Sequence, residues 1–256
     1  MRNRRRFAVI FALAAAGVIA VAGIAMAAAT SNFTFKFSPA SVPKNNFKAG
    51  ALATDLRTSY TNPGNNNPGG AVERTRIFLD KNWKINPNAA AKCSSSQLAN
   101  KTMKQAMAAC GNALVGRGTA QATANGLFTI NACVLLFNGK PQNNQPTLKV
   151  FTRAQASNPS SISCADPKNN TQGNVTVLLN GVLKPASGLY GKVLDVNNIT
   201  QASQFPLTIF KTTIKKGNYV SARCAAANKT WHMQTIWTYN DNTTKTVHKT
   251  QACTVA

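Results

Sequence analysis

The sequence has few acidic residues and few histidines. Its 256 residues include 6 Asp and Glu and 2 His against 29 Lys and Arg, so the formal net charge is +23 at pH 7. A glycosidase needs two carboxyls beside the scissile bond, and these six acids are dispersed without an evident pair. A serine or cysteine hydrolase needs a base, for which this chain offers only its two histidines. The G-x-S-x-G motif that carries the nucleophilic serine in many hydrolases is absent from the sequence. We therefore predict a non-catalytic protein, with an enzyme of unrecognised site as an alternative.

Motifs for metal binding are also incomplete. The stretch DKNWKIN, residues 80–86, has oxygen ligands at its first and third positions, as a calcium loop does. Such a loop also needs Gly at position six and Glu at position twelve, where this chain has Ile85 and Ala91. The close spacing of zinc ligands is likewise missing from the other candidates, which are Cys224, His232, His248 and Cys253. The sequence predicts neither a metal nor a cofactor.

The N-terminus carries an export signal. The first six residues hold four arginines, and residues 7–29 form an uncharged apolar run with A-x-A cleavage sites after Ala27 or Ala29. This pattern predicts a signal peptide over 1–29 and a mature domain over 30–256. The run is also long enough to cross a bilayer, so an uncleaved anchor is the alternative, and it would be the domain's only membrane contact. Either way the domain is predicted to be extracellular, secreted or associated with the cell surface.

The mature domain keeps a strong positive charge. Without the four arginines of the signal, about 227 residues carry about +19. A field of that sign attracts polyanions, so we predict binding to an anionic cell-surface polymer or glycan, without a specific nucleic-acid partner. The proposed contacts are an aromatic residue in a turn and the lysines that flank it, Trp83, Lys81 and Lys84. The alternative is a structural surface or matrix protein without a discrete ligand, whose charge only keeps it soluble.

Six cysteines follow the signal, and in an exported chain they predict three disulfides. Six cysteines allow 15 pairings. Their spacing favours a nearest-neighbour order of Cys93 with Cys110, Cys133 with Cys164, and Cys224 with Cys253.

The local patterns are those of short strands. NFTFKF, residues 32–37, alternates phenylalanines on one face, and TWHMQTIWTY, residues 230–239, does the same with tryptophans in a predicted core position. Turn signals rich in Asn, Pro and Gly separate about a dozen such segments. The sequence predicts an all-β fold, an antiparallel sandwich or two tandem sandwiches. If the chain is divided, we expect the weak boundary near residues 157–173.

One stretch, residues 94–110, is typical of a helical insertion. Ser94 and Gln97 form a capping-box pattern, and apolar positions recur up to Cys110, with Gly111 as the stop. One straight helix would separate Cys93 from Cys110 by about 24 Å, beyond the reach of a disulfide. Their pairing therefore predicts a break near Asn100, with Asn100 capping a second short helix.

Several phrases resemble a family of exported, basic, uncharacterised proteins of actinobacteria. They are FSPASVPK (37–44), FLDKNWKINPN (78–88), CSSSQL (93–98), ACGNALVGRG (109–118), LLFNGK (135–140) and YVSARC (219–224). The resemblance covers most of the mature chain. It implies a secreted β-rich domain and the first and last of the three disulfides, and it implies no activity or catalytic residue. Cys133, Cys164 and Trp83 depart from the family pattern.

Overall fold

The computed structural model describes residues 30–59, 72–124, 128–155, 162–197, 199, 207–225 and 229–256. The predicted signal segment, with its cleavage sites, lies outside this part of the chain. None of the helices in the described part is long and apolar enough to cross a membrane.

Strands dominate the described chain, with two short α-helices between the sixth and seventh strands. The helices are α1 (Ser95–Leu98) and α2 (Met103–Cys110). The strands are β1 (Thr30–Ser38), β2 (Ser41–Val42), β3 (Lys48–Ala49), β4 (Ala51–Ser59), β5 (Val72–Asp80), β6 (Trp83–Ile85), β7 (Leu114–Ala124), β8 (Phe128–Gln142), β9 (Gln145–Ala154), β10 (Val175–Pro185), β11 (Tyr190–Val196), β12 (Leu207–Ile214), β13 (Val220–Ala222), β14 (Thr230–Tyr239), β15 (Thr244–Ala252) and β16 (Thr254–Val255). Two 3-10 turns, Pro87–Ala89 and Gly111–Ala113, flank the helices.

Eleven strands form one antiparallel sheet in the order β1-β4-β12-β7-β8-β9-β10-β11-β5-β14-β15. This confirms the predicted all-β antiparallel fold. The sheet rolls over until its two edge strands meet, because the Gln251 side chain on β15 accepts from the Phe37 amide at 2.7 Å and donates to the Phe37 carbonyl oxygen at 2.9 Å. Both facing layers thus belong to one sheet. The strands that flank residues 157–173, β9 and β10, pair directly, so the sheet is continuous there.

The main core lies between the facing halves of this sheet. The alternation that the sequence predicts in β1 and β14 is confirmed: Phe33, Phe37, Trp231 and Trp237 are all buried on the inner face. Two small sheets, β3-β13-β6 and β16-β2, lie across one end of the large sheet. At that end Trp231 contacts Phe37 edge-on, with ring centroids 5.3 Å apart. The sequence therefore builds an aromatic core that closes one end.

The helical insertion covers the outer face of β8 and β9, where its apolar side chains join a second core with Phe137 and Phe151. The predicted break is confirmed, because α1 ends at Leu98 and α2 begins at Met103. The predicted cap is wrong. Asn100 has φ +56°, a left-handed conformation that an N-cap residue does not adopt, and the Thr102 side chain caps α2 instead.

All three predicted disulfides are present. The Cα–Cα distances are 5.7 Å for Cys93–Cys110, 5.3 Å for Cys133–Cys164 and 5.9 Å for Cys224–Cys253. The first clamps the broken helix beside β8, since Cys93 also bridges to Gly139. Disulfides persist in oxidising compartments, so the three bonds suit an extracellular environment.

Candidate anion-binding surface

The strands of the large sheet connect at two ends, and one end gathers exposed cations. At this end β1 finishes and β4 begins, and β5 finishes beside the start of β14. The turns between β8 and β9 and between β10 and β11 also lie here. We call it the basic end and define it by the cations of its connecting segments and of the strand ends beside them: Lys44, Lys48, Lys81, Lys84, Lys92, Lys140, Lys192, Lys215, Lys216, Arg223 and Lys229. All are exposed except Lys216 and Arg223, which are partly buried.

One acidic side chain, Asp80, lies beside these cations, and it is buried. Its Oδ1 accepts the Asn82 amide at 2.8 Å, and its Oδ2 accepts the His232 amide at 2.8 Å. Backbone donors thus satisfy both oxygens and hold the turn between β5 and β6. Within the described part of the chain, no ion pair joins Asp80 or any other carboxylate to a cation of the basic end. The charge of this end is therefore not balanced by ion pairs within the described residues.

An exposed aromatic ring lies among these cations. Phe47, which precedes β3, keeps 41% of its surface exposed. The guanidinium carbon of Arg223 lies 5.1 Å from its ring centroid, and Nζ of Lys84 lies 6.0 Å from it. Arg223 is held in place because its Nε donates to the buried side chain of Asn82 at 3.2 Å. The result is a fixed aromatic and cationic group on the solvent side of the small sheet.

The structure separates the three contact residues that the sequence predicts. Lys81 and Lys84 are exposed at the basic end, as expected. The expected exposure of Trp83 is wrong, because it is 5% exposed and its ring lies 5.4 Å from that of Phe35. Trp83 begins β6 and pairs with Ala222, so it takes the inward position of an alternating strand while Lys84 points outward.

Phe47 is the exposed aromatic that sequence reasoning missed. Its setting between Asn46 and Lys48, without an alternating apolar neighbour, was the available signal.

The opposite end carries fewer cations. Its described strand ends and turns carry five, Arg57, Arg74, Arg153, Lys168 and Lys245, and three acids, Glu73, Asp166 and Asp241. The undescribed stretches 60–71, 125–127, 156–161 and 200–206 contain no charged residue, so they add no charge wherever they lie.

The remaining acids on the outer faces of the sheet are paired with cations. Asp195 accepts two hydrogen bonds from Arg74, at 2.8 and 2.7 Å, and one from Lys184 at 2.7 Å. Arg74 and Lys184 lower the pKa of Asp195 to about 2. On the outer face of β4, the Asp55 carboxylate lies 3.0 Å from the Arg57 guanidinium and 3.7 Å from Nζ of Lys211. The four cations of these ion pairs lie on the sheet. Of the 21 other Lys and Arg residues in the described part of the chain, 11 lie at the basic end and 10 lie elsewhere.

The histidines and cysteines do not come together. All six cysteines are in disulfides, and within the described residues no group of three His, Cys, Asp or Glu side chains is placed to hold a metal ion. His248 lies on β15, where its Nδ1 is 3.3 Å from the Tyr190 hydroxyl. His232 lies on β14 and contributes its backbone amide to Asp80.

Comparison of the chain with protein-family models, with curated proteins and with solved structures finds no match.

Proposed function

We propose that this protein acts outside the cytoplasm as a non-catalytic binding protein for an anionic polymer of the cell surface, and that the basic end is its binding surface. The observation that carries the proposal is the gathering of exposed cations at one end while their nearby acid, Asp80, is satisfied by backbone amides. Such a surface attracts a polyanion strongly because no internal counter-charge has to be displaced.

The form of the surface favours an extended polymer over a small anion. Its lysines are spread over six segments of the described chain, and none of them lines the cavity between the facing halves of the sheet. Phe47 adds an apolar ring on which the ring of a sugar repeat can lie, and the cations beside it can pair with phosphate or carboxylate groups of the same chain. Many weak contacts of this kind give an affinity that depends strongly on salt.

The test is a salt-titrated binding assay on the purified chain, with heparin and polyphosphate as probes. One triple variant changes Lys44, Lys48 and Lys84 to Glu. The matched control changes Lys104, Lys168 and Lys245 to Glu, so the net charge falls equally but the basic end is untouched. All six side chains are exposed, so neither variant disturbs the core.

We expect the affinity of the unchanged chain to fall steeply as salt rises, and the basic-end triple to lose at least about tenfold at low salt. The control triple should stay within about threefold. Equal losses in the two triples would show that net charge alone governs binding, and would overturn the proposal. Absence of binding to both probes at low salt would do the same. Tight binding to vesicles of anionic lipid without binding to either polymer would assign the surface to a membrane instead.

A further inference from the structure

The described residues form a partly open cavity of about 150 Å³ between the facing halves of the rolled sheet. Its wall is built from the inner faces of β4, β5, β8, β9, β10, β11, β12 and β14, and its floor lies near Ile85 and Tyr219. An engineered cavity of about this size, lined by Leu, Ile and Phe, stays free of water and binds benzene or xenon. The volume alone is therefore enough for a small hydrocarbon group.

The wall carries no charged side chain. It is mostly aliphatic, and several of its side chains face inward yet are only partly buried: Leu56, Ile77, Leu179, Leu194, Phe210 and Ile214. In a close-packed core such residues would be covered by their neighbours. Here they keep apolar surface that the other described residues do not cover, and burying such surface is favourable at about 25 cal/mol per Å².

Most hydroxyl groups in the wall form hydrogen bonds with other residues of the protein. Thr54 and Thr212 bond to each other at 2.8 Å. The remaining pairs are Thr58 with Ser31 at 3.1 Å, Thr147 with the Lys140 carbonyl at 2.8 Å, Thr208 with the Gln121 carbonyl at 3.1 Å, and Tyr219 with Asn138 at 3.5 Å. The cavity thus offers a ligand a wall that is mostly apolar.

We propose that this cavity is a binding site for the hydrocarbon group of a small molecule. A charged group is excluded from the wall, because no cation or carboxylate there would offset the loss of its hydration. A ligand gains by covering the aliphatic side chains that the described residues leave partly exposed. The site does not rest on the function proposed above, because none of the cations of the basic end lines it.

The test uses thermal unfolding and calorimetry of the unchanged chain with three probes: benzene, 1-hexanol and hexanoate at pH 7. We expect benzene and 1-hexanol to bind and to raise Tm as their concentration rises, because they bind the folded state alone. Hexanoate should bind at least tenfold more weakly if the natural ligand is neutral. If hexanoate binds as tightly as 1-hexanol, the hydrocarbon group belongs to an amphiphile whose charged end stays outside. Failure of both benzene and 1-hexanol to bind would overturn the site.

Filling the cavity tests the same site by another route. Leu194→Phe and, separately, Leu179→Phe place a ring in the empty space and should abolish benzene binding without lowering Tm. The control is Ile236→Phe, which lies on the outer face of β14 opposite Arg76 and should leave benzene binding unchanged. Benzene binding that survives in a folded Leu194→Phe and a folded Leu179→Phe variant would show that the ligand lies elsewhere.

Discussion

The two ends of the rolled sheet close in different ways. At the basic end Trp231 contacts both Phe37 and Trp83 edge to face, and the Phe37 and Trp83 rings are tilted by 33° to each other. The Trp231 indole N–H donates to the Arg223 carbonyl at 2.9 Å. At the opposite end a hydrogen bond between hydroxyls joins the edge strand β1 to β14, since the Tyr239 and Ser31 oxygens lie 2.6 Å apart. One end is thus an aromatic and disulfide scaffold, and the other a hydrogen-bonded seam.

This difference supports the proposal that the basic end is a binding surface. Large buried rings and the Cys224–Cys253 disulfide hold the backbone of this end in place. The Cα positions from which the surface side chains extend are therefore fixed. A partner then meets a surface that is already arranged, which lowers the entropic cost of binding. The same scaffold places Arg223 directly between the buried Trp231 and the exposed Phe47. We therefore expect damage to the scaffold to reach the binding surface, and damage to the seam to leave it intact.

The largest effect is expected from Trp231→Ala. Trp231 is fully buried, and replacing a buried Trp by Ala costs about 3–5 kcal/mol of unfolding free energy. Tyr239→Phe at the seam removes hydroxyl contacts only and should cost about 0.5–1.5 kcal/mol. Urea unfolding of both variants measures the difference. The comparison of the ends fails if Trp231→Ala costs no more than Tyr239→Phe.

The next effect comes from removing Cys224–Cys253 through a double change to Ser. Loss of a native disulfide costs about 2–5 kcal/mol. The double Cys133→Ser, Cys164→Ser variant is a matched control, because the sequence separations are 29 and 31 residues and the loop entropies are nearly equal. Both variants should lose similar stability in denaturant titrations. Heparin affinity, measured well below the unfolding transition, should fall in the first variant alone, and a similar fall in both would argue against a scaffold specific to the basic end.

Local pattern predicted much of this architecture. Alternation in β1 and β14 identified the buried rings, and the capping box at Ser94 with the demand of the Cys93–Cys110 bond identified the broken helix. These features depend on neighbours within a few residues or on one covalent link. Local pattern failed at Trp83, because lysines on both sides resemble an exposed turn until pairing with Ala222 fixes which side faces inward.

The candidate surface itself could not be read from the sequence. The cations of the basic end come from segments that are far apart in the chain, and they meet because β5 pairs with β14 and β4 with β12. Pairings over such separations are set by how the whole core packs, which periodicity within one strand does not encode. The same holds for the cavity, whose wall needs eight strands in their final order.

An intermediate loss of unfolding free energy is expected at low pH. It comes from the ion pairs of Asp195 and does not depend on the difference between the two ends. Because Arg74 and Lys184 lower the pKa of Asp195 to about 2, the folded state binds this proton more weakly than the unfolded state does. Its contribution, about 1–2.5 kcal/mol, is present above about pH 4 and is lost as the pH falls toward 2. The unfolding free energy of Asp195→Asn should therefore depend less on pH across this range. An unaltered pH dependence in that variant would show that the ion pairs do not stabilise the fold.

The smallest effect is expected from Phe47→Ala, and it isolates the ring from the scaffold beneath it. Because Phe47 is exposed, its loss should change the unfolding free energy by less than about 0.5 kcal/mol. A cation–π contact at an exposed site is worth about 0.5–1 kcal/mol, so removing the ring should weaken heparin binding by about two- to fivefold if the ring contacts the polymer or positions Arg223. Leu189→Ala is the control. Leu189 is also exposed at this end, and its aliphatic side chain cannot form a cation–π contact. Equal losses in the two variants would mean that general apolar surface contributes to binding, and that the arrangement of Phe47 with Lys84 and Arg223 has no special role.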